Sequence, residues 1–193
     1  MQILQTNNNS AFKAGAVLLV HSCCAPCSAY VYNLLSEKGF FIEGFFYNPN
    51  IHPDTEQERR LYELIRFAKI QDCKLNIKED KPQKWLEHVK GFEACAEGGE
   101  RCQKCFELRL EETAKYAKDF GFDGFCTVMS VSPHKNAEML NKTGITLAEK
   151  YGIRFLETDF KKDGGFKKSV QMAKEFNFYR QNYCGCKFSI RET

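Results

Sequence analysis

Seven of the ten cysteines in this chain lie in three tight groups that are far apart in the sequence. Thiols at this density serve soft metal ions, iron–sulfur clusters or thiol–disulfide exchange, and packing alone does not call for them. One site can use all of them only if the fold brings a strand–helix junction, a mid-chain loop and the C-terminal segment together. The groups are HSCCAPCS at 21–28, RCQKC at 101–105 and NYCGC at 182–186.

Length and composition predict one catalytic domain over residues 16–193, after a frayed, Asn-rich extension at residues 1–15. The chain is 43% hydrophobic with 17 Phe, which allows a sizeable core, and its net charge of +3 excludes a histone-like polycation. The start has no signal-peptide pattern, and apolar runs such as AVLLV are too short to span a bilayer. We therefore expect a cytoplasmic protein with no membrane partner, in which clustered cysteines bind metal or do redox chemistry.

Apolar segments alternate with amphipathic ones along the chain, which predicts an α/β fold: a parallel sheet with helices on both faces. Ligands of such folds bind beyond the carboxyl ends of the strands, where the first cysteine group lies. No glycine-rich phosphate loop occupies that position. We expect strands over 16–22, 41–49, 73–80, 124–129 and 154–158, and helices over 26–38, 55–71, 82–91, 103–120, 132–152 and 165–177, the second helix opening with a capping box at Thr55 and Glu58.

The first two cysteine groups each begin a predicted helix. Exposed N–H groups and the helix dipole stabilise thiolates there and lower their pKa, which suits metal ligation or nucleophilic exchange by Cys23, Cys24 and Cys27. Cys102 and Cys105 form a second C-x-x-C pair. Two such pairs supply four thiolates, enough for tetrahedral zinc or a four-iron cluster, and the spacing does not choose between them.

The third group, Cys184 and Cys186, flanks a single glycine. A disulfide across such a short ring is strained and therefore labile and redox-active. The alternative is a pair of thiolates that binds a second metal ion, and Gly185 permits the tight turn that either requires. Of the remaining cysteines, Cys73 and Cys126 are expected in the core and Cys95 is a spare ligand at most.

Basic residues crowd the last third of the chain. A solvated helix face is the ordinary interpretation of such a run, but interleaved aromatic residues also suit phosphate contact and base stacking by nucleic acid. The basic residues are Lys161, Lys162, Lys167, Lys168, Lys174, Arg180, Lys187 and Arg191; the aromatic ones are Phe166, Phe176, Phe178, Tyr179 and Tyr183.

Three classes of protein fit these observations. In a thioredoxin-like disulfide oxidoreductase a strand precedes Cys24-Ala25-Pro26-Cys27 and a helix follows it, but that class leaves five clustered cysteines unused. A zinc-stabilised binding module needs fewer thiols than are clustered here. An iron–sulfur enzyme with an auxiliary redox pair uses all of them.

The ordered motifs resemble those of a known family, the epoxyqueuosine reductases QueH. The likeness covers almost the whole chain after the N-terminal extension. Its segments are HSCCAPCS at 21–28, FFYNPNIHP at 45–53, Glu58 with Arg59, RCQKCFELRL at 101–110, SPHKN at 132–136, DFKKDGG at 159–165 and YRQNYCGC at 179–186.

This resemblance implies a fold similar to adenine-nucleotide hydrolase-like (Rossmann-like) α/β proteins. It also implies a cobalamin-independent reduction of the epoxide of epoxyqueuosine at the tRNA wobble position, with an electron donor that the sequence does not identify. Some relatives hold an additional iron with an Asp ligand where Cys27 stands here, so a second metal would have a different ligand set. Carried over by position, the [4Fe-4S] ligands would be Cys23, Cys24, Cys102 and Cys105, and the redox-active pair would be Cys184 and Cys186.

Epoxide cleavage also needs a proton donor or Lewis acid at the oxygen. His134, Tyr183 and Asp54 are the candidate donors because they lie near the motifs. The aromatic and basic C-terminal third is expected to receive the splayed-out base of the anticodon loop that carries epoxyqueuosine, since RNA-binding proteins favour single-stranded loops.

Overall fold

The computed structural model describes residues 4–6 and 12–190, the first of these segments by its backbone. Strands and helices alternate, as the sequence pattern predicts. The strands are β1 (Leu4–Thr6), β2 (Val17–His21), β3 (Phe41–Phe46), β4 (Leu75–Ile77), β5 (Gly124–Thr127) and β6 (Leu156–Thr158). The helices are α1 (Ala25–Glu37), α2 (Asp54–Ile70), α3 (Pro82–His88), α4 (Glu100–Asp119), α5 (Ala137–Tyr151) and α6 (Gly165–Glu175).

Four strands form a parallel sheet in the order β4-β3-β2-β5, which confirms the predicted fold class. The chain builds outward from β2 through β3 to β4 and then returns to the other side of β2 with β5. The topological switch point therefore lies between β2 and β5, the place where open α/β sheets bind their ligands. A parallel bridge from Phe125 to Phe155 carries the chain on toward β6.

Alternate side chains of β2 enter two separate cores, because successive residues of a strand face opposite sides of a sheet. Leu18 and Val20 pack against α1, α2 and α6, whereas Leu19 packs on the other face against α3, α4 and α5. The side chains of Leu18, Leu19 and Val20 are all inaccessible to solvent. The prediction of helices on both faces is confirmed.

Several predicted element boundaries are wrong. Helix α2 starts one residue before Thr55 and no side chain caps it, so Thr55 lies inside the first turn and the capping box does not form. Helix α4 starts at Glu100 rather than 103. Strand β5 ends at Thr127, because the hydroxyl of Thr127 accepts a hydrogen bond from Met129 N at 3.2 Å and opens a 3₁₀ turn over 128–131.

Most of the predicted frayed extension, residues 1–15, lies outside the described residues. Leu4–Thr6 within it pairs antiparallel with Leu156–Thr158 to form a small second sheet, so these three residues are not frayed. The C-terminal end of the predicted domain, 191–193, also lies outside the described residues. Within the described segments, no helix is both long and apolar enough to traverse a bilayer.

Candidate metal and redox site

The first cysteine group lies at the carboxyl end of β2, beside the switch point. Cys24 occupies the position before the first residue of α1, and Pro26 stands in the first turn, where its missing N–H costs nothing. The sulfur atoms of Cys23, Cys24 and Cys27 all lie within 4.8 Å of one another. Three soft ligands at this spacing can hold a metal ion.

Only Cys23 of these three thiols is favoured as a thiolate. Hydrogen bonds from Cys24 and Cys27 hold the pKa of Cys23 well below its usual range. The same contact with Cys23, together with burial, raises the pKa of Cys24 to about 12 and that of Cys27 well above normal. A bound cation is needed to keep all three ionised, because like charges at this distance disfavour one another.

The second cysteine group lies in the first two turns of α4. Cys102 and Cys105 are both buried, and their three-residue spacing places them on one face of the helix. The backbone N–H of Gly98 donates to Cys102 Sγ at 3.2 Å. Among the described residues, Cys23, Cys24 and Cys27 are the thiols close enough together to hold one metal ion, and Cys102 and Cys105 are not part of that group. The thiolates of a four-iron cluster bind different irons and need not be so close.

One buried guanidinium connects all three cysteine groups. Arg109 Nη1 lies 3.9 Å from Cys105 Sγ. Burial opposes the charge of Arg109, yet the nearby sulfurs of Cys105, Cys23 and Cys184 raise its pKa above the usual value. Its Nη2 donates to Asn48 Oδ1 at 2.7 Å. The strand–helix junction, the start of α4 and the C-terminal segment therefore converge on one point.

A second buried arginine fixes the backbone of the C-terminal cysteine segment. Arg60 donates to the carbonyl oxygens of Cys184 at 3.0 Å and Tyr183 at 3.2 Å, and it pairs with Glu56 at 2.6 Å. Gly185 between the cysteines has φ +102°, and a Cβ there would lie 2.9 Å from Arg60 Nη1. The residue between the two cysteines must therefore be glycine for both conformational and steric reasons.

The two thiols of this segment have different surroundings. Cys184 is half-buried, lines a cavity and accepts a hydrogen bond from Lys135 Nζ at 3.0 Å. Cys186 is 8% exposed and its backbone bridges to Ile51. Burial raises the pKa of the Cys186 thiol to about 11. Both are free thiols in this structure.

A cavity of about 280 Å³ joins the first and third cysteine groups. It is rich in cations and has one acidic residue, Glu97, so it suits an anionic or electron-rich ligand. Two of the candidate proton donors, His134 and Tyr183, line it, and Asp54 does not. The side chains that bring a thiol or a permanent positive charge to the cavity are Cys23, Cys27, Cys184, Arg60, Arg109, Lys135 and Arg180.

Sequence analysis missed the residues that hold the site together. It singled out Glu58 and Arg59, but both are exposed, and the buried pair is Glu56 with Arg60. The i,i+4 spacing of an acid and a base on a helix was a signal for that pair. Gln181, also missed, donates from Nε2 to Cys24 Sγ at 3.0 Å.

The expected aromatic surface is smaller than the sequence suggested. Phe178 is buried in the core and Phe176 stacks on it with ring centroids 5.4 Å apart, so neither is free for base stacking. Phe166 is 40% exposed and lines the cavity with Tyr183. Tyr179 lies under the guanidinium of Arg59 at 3.5 Å from its ring centroid. Arg191 lies outside the described residues.

The isolated cysteines and His21 have structural surroundings. Cys126 is fully buried in β5, and half-buried Cys73 donates to Ile42 O at 3.2 Å, just before β4. Cys95 is half-buried and stands outside the compact thiol group. Burial, assisted by a neighbouring arginine, lowers the pKa of His21 to about 3, so its ring is neutral and hydrogen-bonds within the core.

Comparison with known proteins gives a consistent result. The family model described as epoxyqueuosine reductase QueH matches residues 18–192. Curated proteins of that description include one from Acinetobacter baylyi, 41% identical over 177 residues, which span 91% of this chain and 81% of the relative. Another, from Streptococcus pyogenes serotype M1, is 39% identical over 180 residues, 90% of this chain and 70% of the relative. One from Thermotoga maritima is 37% identical over 178 residues, 91% of each chain.

Two solved structures share the fold at low identity. The U34-tRNA thiolase NcsA from Methanococcus maripaludis, solved with its [4Fe-4S] cluster, has a TM-score of 0.58 at 10% identity, covering 93% of this chain and 63% of its own. A predicted subunit of tRNA methyltransferase from Methanocaldococcus jannaschii also has a TM-score of 0.58, at 14% identity, covering 83% and 76%. At such identities the likeness supports the α/β fold alone.

Proposed function

Since this chain belongs to the epoxyqueuosine reductase QueH family, we propose that its three cysteine groups form one iron–sulfur site that reduces epoxyqueuosine in tRNA. The epoxide at the wobble nucleoside would become the alkene of queuosine. The observation that carries the proposal is the convergence of the three groups on Arg109 and on one basic cavity at the switch point of the sheet.

The residues around Arg109 fit an anionic cluster. Among the described residues no carboxylate pairs with this guanidinium, and its Nε has no hydrogen-bond partner. A buried, uncompensated charge costs several kcal/mol. Thiolates bound to iron and sulfide would supply the missing negative charge. The ligands of a [4Fe-4S] cluster would be Cys23, Cys24, Cys102 and Cys105.

The net reaction needs two electrons and two protons. Both C–O bonds of the epoxide break, a C=C bond forms and the oxygen leaves as water. A [4Fe-4S] cluster, when bound, supplies electrons one at a time at low potential. Cys184 and Cys186 can store the same two electrons, since two thiols give up two electrons and two protons when they close a disulfide. An external donor must then restore them.

Cys27 is the residue on which an additional iron would depend. Its thiol lines the cavity next to Cys23. A thiolate there is a softer ligand than the Asp of some relatives, so an extra metal ion in this chain would sit in a more sulfur-rich coordination sphere.

The cavity has the residues to bind a nucleoside of an anticodon loop. Arg180 offers positive charge for phosphate, and Phe166 and Tyr183 offer faces for a splayed-out base. The Tyr183 hydroxyl donates to His52 O, so its proton is engaged. Of the two candidate proton donors that line the cavity, exposed His134 is therefore the more accessible.

The proposal is tested by turnover of tRNA that carries epoxyqueuosine. The anaerobically purified protein and a chemical reductant are incubated with that tRNA, and digested nucleosides are quantified by mass spectrometry. Queuosine should form with the wild-type protein and be lost with Cys102→Ala. Cys126→Ala, in a cysteine that is fully buried in β5 and is not a proposed ligand, is the matched control and should retain turnover. Full turnover by Cys102→Ala would refute the ligand assignment.

A further inference from the structure

The two thiols of the C-terminal pair, Cys184 and Cys186, differ in their accessibility. Cys184 Sγ lines the cavity and can meet molecules that enter it. Cys186 is almost fully buried, packs in the core beneath the sheet and is not among the residues that line the cavity. A thiol that is reached from the cavity can react with substrate, donor or probe, whereas a buried thiol with a raised pKa is inert.

A buried ammonium group stands directly against the accessible thiol. The Lys135 side chain is only 10% exposed, and its Nζ lies 3.0 Å from Cys184 Sγ and 3.1 Å from Glu97 Oε1. Burial opposes the charge on Lys135, but the Cys184 sulfur and Glu97 raise its pKa far enough to keep it an ammonium. Lys135 therefore donates a charge-assisted hydrogen bond that fixes the position of the Cys184 sulfur.

The backbone prevents the two thiols from exchanging places. Arg60 donates hydrogen bonds to the carbonyl oxygens of Tyr183 and Cys184. The carbonyl oxygen of Gly185 accepts a hydrogen bond from His52 N at 2.8 Å. Because the Gly185 backbone is packed against the Arg60 guanidinium, the segment has one orientation. The asymmetry between the thiols is thus part of the fold.

We infer that Cys184 is the reactive thiol of the pair and that Lys135 is a positioning residue, which donates a hydrogen bond to the Cys184 sulfur and holds it at the cavity. Cys186 is the buried second thiol. The inference rests on the proposed redox function of the pair, and it adds which thiol reacts and which side chain makes it reactive.

Site-resolved alkylation tests the inference. The cluster-loaded protein is reduced anaerobically, treated with iodoacetamide between pH 6 and 9 and digested for mass spectrometry. A thiolate displaces iodide, so the rate at each cysteine reports its accessible thiolate. Cys184 should react at least about tenfold faster than Cys186, given the exposure and the charge-assisted contact of Cys184. This comparison needs no variant and therefore does not depend on a mutant that folds.

Variants then assign the effect to Lys135. Lys135→Met should slow alkylation of Cys184 about tenfold, whereas Lys135→Arg, which keeps the charge and the hydrogen-bond donor, should restore most of the rate. Lys187→Met is the matched control, because Lys187 is exposed and directly follows Cys186. Its alkylation profile should match that of the wild-type protein.

Equal rates at the two thiols, faster reaction at Cys186, or an unchanged profile in Lys135→Met would each overturn the inference. The proposed function is judged separately, by turnover of Cys184→Ser and Cys186→Ser with a chemical reductant. Full turnover in both variants would remove the redox role of the pair even if alkylation still distinguished the two thiols.

Discussion

Replacement of Arg109 by glutamine should make the proposed iron–sulfur cluster harder to reduce. The guanidinium is a buried positive charge 3.9 Å from Cys105 Sγ and close to Cys23. An electron added to the cluster is stabilised by that charge, so Arg109→Gln should shift the reduction potential to a more negative value.

The distance sets the size of the shift. A unit charge 3.9 Å away acts with about 4 kcal/mol at an effective dielectric constant of about 20. The added electron would be spread over the irons and would lie farther from Arg109 on average than the ligand sulfur does. We therefore expect roughly half of this interaction energy. For a one-electron couple that corresponds to a shift on the order of 100 mV. Arg109→Lys keeps the charge and should move the potential much less.

The assay is an anaerobic redox titration followed by electron paramagnetic resonance, on wild-type protein and both variants at equal iron content. The free energy of unfolding of the metal-free protein is a second readout, and there the substitution should be favourable. In metal-free protein, Arg109→Gln should raise the free energy of unfolding, because it removes a buried charge that has no carboxylate partner among the described residues. A potential within about 20 mV of wild type, with the cluster intact, would refute this electrostatic reasoning.

Three further perturbations test other features of the structure. Gly185→Ala should lower the free energy of unfolding by about 1 kcal/mol more than Gly39→Ala in denaturant titrations. Both glycines have a positive φ, but only a Cβ at position 185 would press on Arg60. Equal losses of stability in the two variants would contradict this. Burial opposes the charge on Glu112, but its contact with Lys78 outweighs burial and lowers the pKa of Glu112. Glu112 should therefore contribute stability above its unfolded pKa and lose that contribution as the pH falls through its folded pKa. Glu112→Gln should therefore lower the melting temperature at pH 7 and much less at pH 3; a constant difference would contradict the pairing. Removal of metal by an iron chelator under reducing conditions should lower the melting temperature, since thiols that crowd around a cation lose the metal that binds them; an unchanged value would argue against a resident metal.

The parts of the fold that depend on local patterns were predictable. The buried run at 16–22 and the proline-led helix after it placed the first cysteine group correctly, because strand alternation and helix-start preferences act within a few residues. The boundaries were less so. Helix α2 begins directly after Pro53, so Thr55 never reaches the capping position that its sequence pattern suggested.

The cysteines proposed for the site could be singled out from the sequence, but the charged residues that surround them could not. Cysteine is rare enough that its grouping stands out in a sequence, whereas Arg109 and Lys135 look like any other cations on helices and loops. Their roles depend on burial against thiols that are distant along the chain. Phe178 shows the converse, since an aromatic residue in a basic segment looked accessible and is instead buried against Phe67.

The central claim is that the three cysteine groups form one iron–sulfur reductase site, and a metal count tests it most directly. Iron, acid-labile sulfide and zinc are measured per chain in anaerobically purified protein, with Cys102→Ala and the control Cys126→Ala alongside. We predict about four irons with matching sulfide in the wild type and the control, and loss of both in Cys102→Ala. One zinc per chain without sulfide would contradict the reductase site and favour a zinc module; an absence of metal would favour thiol–disulfide exchange instead.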